Sequence, residues 1–400
     1  MTRKTTTTAL AAVATAVLGC LNIAQAQSAK PAASAAPALA APAKARPVAA
    51  PRTPKVQIAI LLDHSGSMSG LINQARSELW TIVNEFATAK YQGQRPILEV
   101  ALYGYGSPPG QQLAPLTTDL DLVSQQLFGL GGGGGSEYCG QIIEKATKEL
   151  KWSTSNDDLK LIFIAGNEAF TQGPVDFKTA CAQAISKGII VNTIHCGDEG
   201  TGVNGKWRDG AMLADGKFLN INQNAAVAHI EAPQDKRLAE LGVEMNTTFI
   251  PFGAHGATGA ENQARQDANA GGVSTQVAVQ RAVTKGSVNY RNDSWCLADA
   301  VKTKKVDLAK VKVEDLPENM RKMTVEQRRA YVAEKLKQRT GIQKQIADLN
   351  TQRKQYVAAK RKELATKGEE TLNTAVVKAV RDQAAKKNFV LEDATAAAGN

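Results

Sequence analysis

The order of apolar runs in this chain predicts an α/β fold: an open, mostly parallel, doubly wound sheet followed by a long-helical C-terminal extension. Three observations carry that prediction. Between about residues 55 and 250, short apolar runs rich in β-branched residues alternate with stretches that are apolar at helical spacing. The runs lack polar/apolar alternation, so both faces of each strand are expected to be buried, as in parallel sheets covered by helices. From Leu316 onward the composition shifts to Lys, Glu, Gln, Arg and Ala, the mixture of long amphipathic helices.

The first strand is expected over 56–62, Val-Gln-Ile-Ala-Ile-Leu-Leu. Leu71, Ile72, Ala75, Leu79, Ile82, Val83 and Phe86 then recur as the apolar stripe of a helix. A second strand follows over 97–105, a turn at Pro108-Pro109-Gly110, and a short edge strand over 111–118. A helix over 120–127 precedes a glycine-rich loop, 129–135, which opens into a helix carrying Ile142, Ile143, Ala146 and Leu150. Strands at 159–165, 188–196 and 218–221 alternate with helices at 175–186, 207–214 and 235–245. The segment 251–316 is Gly-, Ala-, Asn- and Gln-rich at its start, with one helix expected at 273–283 and with Tyr290, Trp295 and Leu297 docking back on the main domain. Beyond it, Thr324 and Gln327 suit a helix start, and Ile342, Ile346, Leu349 and Tyr356 form a heptad-like stripe. Residues 317–393 are therefore expected as basic, coiled-coil-like helices in an antiparallel hairpin, weakened at Gly341 and Gly368.

The N-terminus has the features of a secretory signal peptide over 1–26: Arg3 and Lys4, an apolar stretch of small residues, and an Ala24-Gln25-Ala26 cleavage site. Val17-Leu18-Gly19-Cys20 offers an alternative, a lipoprotein anchored at Cys20. Residues 27–54 are mostly Ala, Pro, Ser and Lys, the composition of an extended tether. The chain is thus expected to be exported, periplasmic or secreted. In an oxidising compartment Cys139, Cys181, Cys196 and Cys296 are candidates for disulfides, with buried free thiols as the other reading.

The net charge of +10 is concentrated at the C-terminus, where residues 302–393 hold 23 basic and 13 acidic side chains. Export argues against nucleic acid as the partner. Anionic envelope polymers or lipid headgroups suit the charge, and a solvated helical face explains it equally.

The chemistry-bearing stretch is Asp63-His64-Ser65-Gly66-Ser67, directly after the first strand. A carboxylate and two hydroxyls at alternate positions of a tight loop offer hard oxygens converging on one point, the ligand chemistry of Mg²⁺. The structural alternative is that Ser65 and Ser67 cap the next helix while Asp63 satisfies backbone amides. His64, between two inward positions, reads as a loop residue.

A D-x-S-x-S motif at the end of a buried strand and before a helix resembles the first loop of the metal-ion-dependent adhesion site of von Willebrand factor A domains. The resemblance covers about 55–250 and implies a divalent cation, Mg²⁺ first and Mn²⁺ or Ca²⁺ as alternatives, held by three loops. Asp63, Ser65 and Ser67 match the first loop. Ser136, after Gly134-Gly135, stands where the second loop places a threonine. The third loop, T-D-G in the family, reads Ala165-Gly166-Asn167-Glu168 here, so Glu168 is the nearest carboxylate. The implied partner is a protein that offers a carboxylate to the ion, with Tyr103 and Tyr105 at the strand end as candidate rim residues.

Enzymatic chemistry has little support. Gly131 to Gly135 lacks the lysine of a phosphate loop, no G-x-S-x-G elbow occurs, and His195 and Cys196, adjacent on a strand, point to opposite faces. The expected function is an exported cation-dependent adhesion or scaffolding module. The rival is an envelope-associated structural protein with a vestigial site that works through its basic helices; a hydrolase ranks third.

Overall fold

The computed structural model describes residues 52–68, 72, 76, 80–221, 230–364 and 372–391. The expected signal peptide, most of the tether, Cys20, Gly368 and part of the first helix lie outside the described residues, as do a few side chains, Ser67 among them.

The main sheet has six strands: β1 (Lys55–Asp63), β3 (Ile97–Tyr105), β4 (Gln111–Thr117), β5 (Leu159–Gly166), β6 (Ile189–Cys196) and β7 (Phe218–Ile221), in the order β4-β3-β1-β5-β6-β7. All neighbours are parallel except β3 and β4. Every residue of β5 and β6 is buried, including the polar Lys160, Asn192, Thr193 and His195, whose side chains are hydrogen-bonded. Pro115 sits in β4, an edge strand, where a missing N–H costs no ladder bond. The chain leaves β1 towards β3 and later returns to β5 on its other side, so the carboxyl end of β1 is a switch point, the place where open α/β sheets bind ligands.

Helices cover both faces. On one, α2 (Cys139–Glu149), α3 (Phe177–Ser186) and α5 (Trp207–Leu213) bury Ala59, Leu61, Ile162 and Ile164; the short α4 (Glu199–Asn204) precedes α5. On the other, helical residues 80–85, α1 (Leu120–Gly129) and α6 (Asp235–Glu244) pack over Ile58, Ile60, Leu161 and Phe163.

The sequence expected one helix in 251–300, at 273–283; in its place stand two, α7 (Gly256–Val273) and α8 (Thr275–Gly286), separated by Ser274, whose hydroxyl caps α8, and a third begins at Leu297. Hydrophobic spacing missed α7 because its buried stripe is Gln263, Gln266 and Ala270. Those amides are hydrogen-bonded: Gln263 donates to the Tyr290 hydroxyl, and Gln266 accepts from Ser124 of α1. Arg281 of α8 is fully buried, pairing with Asp121 at 2.8 Å and Asp267 at 2.5 Å, and Tyr290 donates to Asp121 at 2.5 Å. Trp295 and Leu297, the latter opening α9 (Leu297–Lys302), are buried beside Phe249 and Ile250.

The C-terminal helices differ most from expectation. After α10 (Glu318–Arg321), Thr324 and Gln327 form the expected reciprocal cap of α11 (Val325–Leu364). α11 runs unbroken through Gly341. It does not form a hairpin seam: Ile342 and Ile346 turn onto the main core, Ile346 beside Gly286, and α11 packs on α8 and α6. Helix α12 (Leu372–Lys386) packs on β7, and strand β8 (Phe389–Leu391) pairs antiparallel with β2 (Ala89–Tyr91). The C-terminal helices thus complete the packing around the sheet, contrary to a free-standing coiled coil. Three arginines of this region turn to acidic partners in the rest of the molecule: Arg339 pairs with Asp299, Arg353 with Asp235 at 2.5 Å, and Arg381 with Glu85 at 2.8 Å. Among the described residues no helix is long and apolar enough to cross a membrane.

Cys139, Cys181, Cys196 and Cys296 are buried free thiols, so the disulfide reading gives way to its alternative. Burial in apolar surroundings pushes the Cys139, Cys181 and Cys196 thiols well above the ordinary range.

Candidate metal centre

Strand register builds the site. Asp63 pairs with Tyr105, Leu62 with Ala165, and Gly166 with His195, so Tyr105, Asp63, Gly166 and His195 line up across the carboxyl end of the sheet. Asp63 is fully buried. Its Oδ1 accepts the Ser65 amide at 2.8 Å, and the chain then enters a 3₁₀ turn, Gly66–Met68, in which the Met68 amide donates to the Ser65 carbonyl. Backbone satisfaction thus accounts for one Asp63 oxygen. The other, Oδ2, is buried with no hydrogen-bond partner.

The glycine-rich loop folds over this end. The Ser136 amide donates to the Gly106 carbonyl at 3.0 Å, and the Gly134 amide to the Ser107 hydroxyl at 3.0 Å. Gly106 has φ +122°, and a Cβ there would stand 3.0 Å from Asp63 Oδ1. Glycine therefore lets the β3 end approach the carboxylate.

The contact that the structure shows between this loop and Asp63 is made by the residue after Ser136. Glu137 is buried, its carboxyl in hydrogen-bond reach of both the Asp63 carboxyl and the Ser65 hydroxyl. Its Oε2 also lacks a partner. Burial, then the Asp63 charge, pushes Glu137 up to about 7. Burial likewise raises Asp63, against the opposing Ser65 amide.

The third loop brings no carboxylate of its own into that contact. A Cβ on Gly166 would lie 2.6 Å from the Tyr105 hydroxyl, 3.1 Å from Trp207 and 3.4 Å from the Asp63 Cβ. Glu168, the expected substitute, is exposed; it accepts from Gln172 at 3.3 Å and acts on Asp63 and Glu137 as a nearby charge. Ser67 lies in the 3₁₀ turn, with its side chain outside the described residues. Tyr103 and Tyr105 are core, not rim: both are buried, Tyr103 donating to Glu149 at 3.3 Å and Tyr105 to the Ala165 carbonyl at 2.8 Å. His195 bonds Asn220 and the Asn167 carbonyl, on the sheet face opposite Cys196.

Residues 57–205 match the family model of the von Willebrand factor type A domain. The chain carries a von Willebrand factor type A domain.

Among solved structures, the A domain is similar to BatB from Bacteroides thetaiotaomicron, at 16% identity and a TM-score of 0.33, over 42% of this chain and 90% of that one. It is also similar to the SpRpn10 VWA domain, at 15% identity and a TM-score of 0.32, over 42% of this chain and 88% of the other. A third is proximal thread matrix protein 1 from the mussel byssus with a zinc-occupied MIDAS motif, at 11% identity and a TM-score of 0.32, over 42% of each chain. No curated protein matches this chain.

The donor set of this A domain fits a hard divalent cation: two carboxylates and a hydroxyl, two of the carboxylate oxygens buried and unpartnered. Among the described residues no group of three or more His, Cys, Asp or Glu side chains forms a metal cluster, so hydroxyl ligands are integral to the fit. Asp63, Ser65 and Glu137 would hold the ion, which would act as a Lewis acid towards a partner's oxygen. Sequence reasoning missed Glu137 because the resemblance assigns this loop a hydroxyl. The available signal was a carboxylate directly beside Ser136, ahead of a helix N-terminus that favours negative charge.

Proposed function

We propose that the chain is an exported, cation-dependent protein-binding module, whose A domain holds Mg²⁺ at the carboxyl end of β1 and joins a partner's oxygen donor, a carboxylate foremost, to that ion. One observation carries the reading: Asp63 and Glu137 face each other in a buried contact, and each keeps an oxygen at which no N–H donor and no hydroxyl of the protein is aimed, so that short of a cation the two carboxyls can only share a proton. Two buried carboxylates without a counter-charge are costly, and a divalent cation removes that cost.

The family supports a role in protein–protein contact or scaffolding. Export rests on the leader-like residues 1–26, and tethering on the Ala/Pro-rich 27–54. The rival reading, anionic polymers held by the basic helices, rests on their exposed lysines, since Arg339, Arg353 and Arg381 are engaged with acidic residues of the molecule itself.

The test is a thermal-shift titration of the purified chain with MgCl₂ and MnCl₂, beside Asp63→Ala. The wild type gains stability that EDTA reverses, and the variant gains none. Equal shifts for the two proteins, or no shift in either, defeat the proposal. Sequencing the N-terminus of the exported protein checks processing at Ala26.

A further inference from the structure

We infer that Glu137 is the second protein carboxylate of the cation site, taking the part that an aspartate on the third loop plays in the family, so that the isolated chain holds its ion before any partner arrives. The inference rests on the cation-dependent reading above and deepens it.

Three independent features support it. The third-loop position is closed: Gly166 lies where any side chain would run into the Tyr105 hydroxyl and Trp207, with the Asp63 Cβ beyond. The replacement has been delivered from another loop. The Ser136 amide is tied to the Gly106 carbonyl, and Gly106 itself abuts the Asp63 carboxylate, so the next residue along is carried onto Asp63. Glu137 is then buried to 4% exposure with Oε2 unpartnered, beside an Asp63 whose Oδ2 is also unpartnered. Two buried acids whose facing oxygens meet no N–H or O–H donor leave between them a place for a lone-pair acceptor, and a divalent cation with the Ser65 hydroxyl beside it fills that place without leaving either acid charged and unpaired.

Charge count gives the consequence. One carboxylate and hydroxyls leave a divalent ion with net positive charge for a partner to neutralise. Asp63 and Glu137 together match the charge of the ion, and cation affinity rises with the number of charged ligands. A partner's carboxylate then completes the coordination of an ion already bound.

The experiment is isothermal titration of the metal-stripped chain with MnCl₂ and MgCl₂, for wild type, Glu137→Gln and Glu168→Gln, with metal-free melting curves to establish folding. The wild type binds one ion in the absence of any partner. Glu137→Gln weakens binding by roughly tenfold or more, while its metal-free melting temperature rises because one buried charge is gone. Glu168→Gln stays within about twofold of wild type, as an exposed, solvent-screened charge should. Unchanged affinity in Glu137→Gln, with the wild type binding, overturns this inference and leaves the cation site standing. So does a loss that falls on Glu168→Gln instead. A wild type that binds no ion removes both the site and the inference.

Discussion

The hydroxyl of Tyr105 stands 2.6 Å from the point that a Cβ on Gly166 would occupy, and donates to the carbonyl of Ala165 just before it. One buried phenol thereby closes the position from which the third loop would present its aspartate. Restoring that aspartate with Gly166→Asp is expected to destabilise the protein by about 1–3 kcal/mol through overpacking. Adding Tyr105→Phe to Gly166→Asp should recover part of the loss. Urea denaturation of the single and double variants measures both effects; a Gly166→Asp protein as stable as wild type would contradict the geometry.

Arg281 joins the 251–316 segment to the A domain. Its guanidinium pairs with Asp121 and Asp267 and donates to the Gln263 carbonyl at 3.0 Å, all within the core. Arg281→Met leaves Asp121 buried without a counter-charge and Asp267 with Lys285 alone, and a loss of about 3–5 kcal/mol is expected. Asp121→Asn in the same background should recover some of it, which a double-mutant cycle would register.

Acid should unfold the protein through Asp158 and Asp267. Burial acts to raise both, but hydrogen bonds from Arg52, Ser153 and the Lys55 amide outweigh it at Asp158, as Arg281, Lys285 and Asn246 do at Asp267. Both carboxyls end below their unfolded values, so the folded state binds fewer protons in the window between. Their contribution is complete above about pH 4 and is lost as pH falls through the folded values. Denaturation midpoints between pH 5 and 2 should therefore decline for wild type and decline less for Asp267→Asn.

The C-terminal helix should be indispensable. Val376, Val380, Ala384 and Phe389 belong to the main core. Gln383 exchanges two hydrogen bonds with Asn192, a fully buried amide in the middle of β6. Gln383→Ala is expected to cost about 1–3 kcal/mol by stranding that amide. Truncation after residue 364 should yield a protein that binds a hydrophobic dye and melts without cooperativity; a truncated chain with a wild-type melt would show that these helices are an appendage.

The buried parallel strands of the main sheet were legible because they are largely apolar runs that end in a visible break, and Asp63 was legible because it is such a break; β2 and β8, three residues each, carry no such signal and were not expected. The α7 helix was hidden because Gln263 and Gln266 occupy the places where periodicity looks for apolar residues. Glu137 was hidden for a different reason: the loop that carries it gains its position through bonds to distant residues, Ser136 to Gly106, Gly134 to Ser107 and Gly133 to His64, whose pairing no local pattern encodes. The C-terminal stripe of Ile342 and Ile346 was seen, but a stripe specifies burial without naming what buries it.

Local patterning alone, then, determined the doubly wound sheet, the order of its strands and helices along the chain, and the placing of Asp63 and Ser65 at a strand's end, since hydrophobic period and turn chemistry act between neighbours. Tertiary structure alone decided that Gly166 is sealed by Tyr105, that Glu137 meets Asp63, and that Arg353, Arg339 and Arg381 of the C-terminal helices reach Asp235, Asp299 and Glu85. Steric exclusion and charge pairing join residues distant in the chain, and their outcome depends on register and packing that exist only once the molecule has folded.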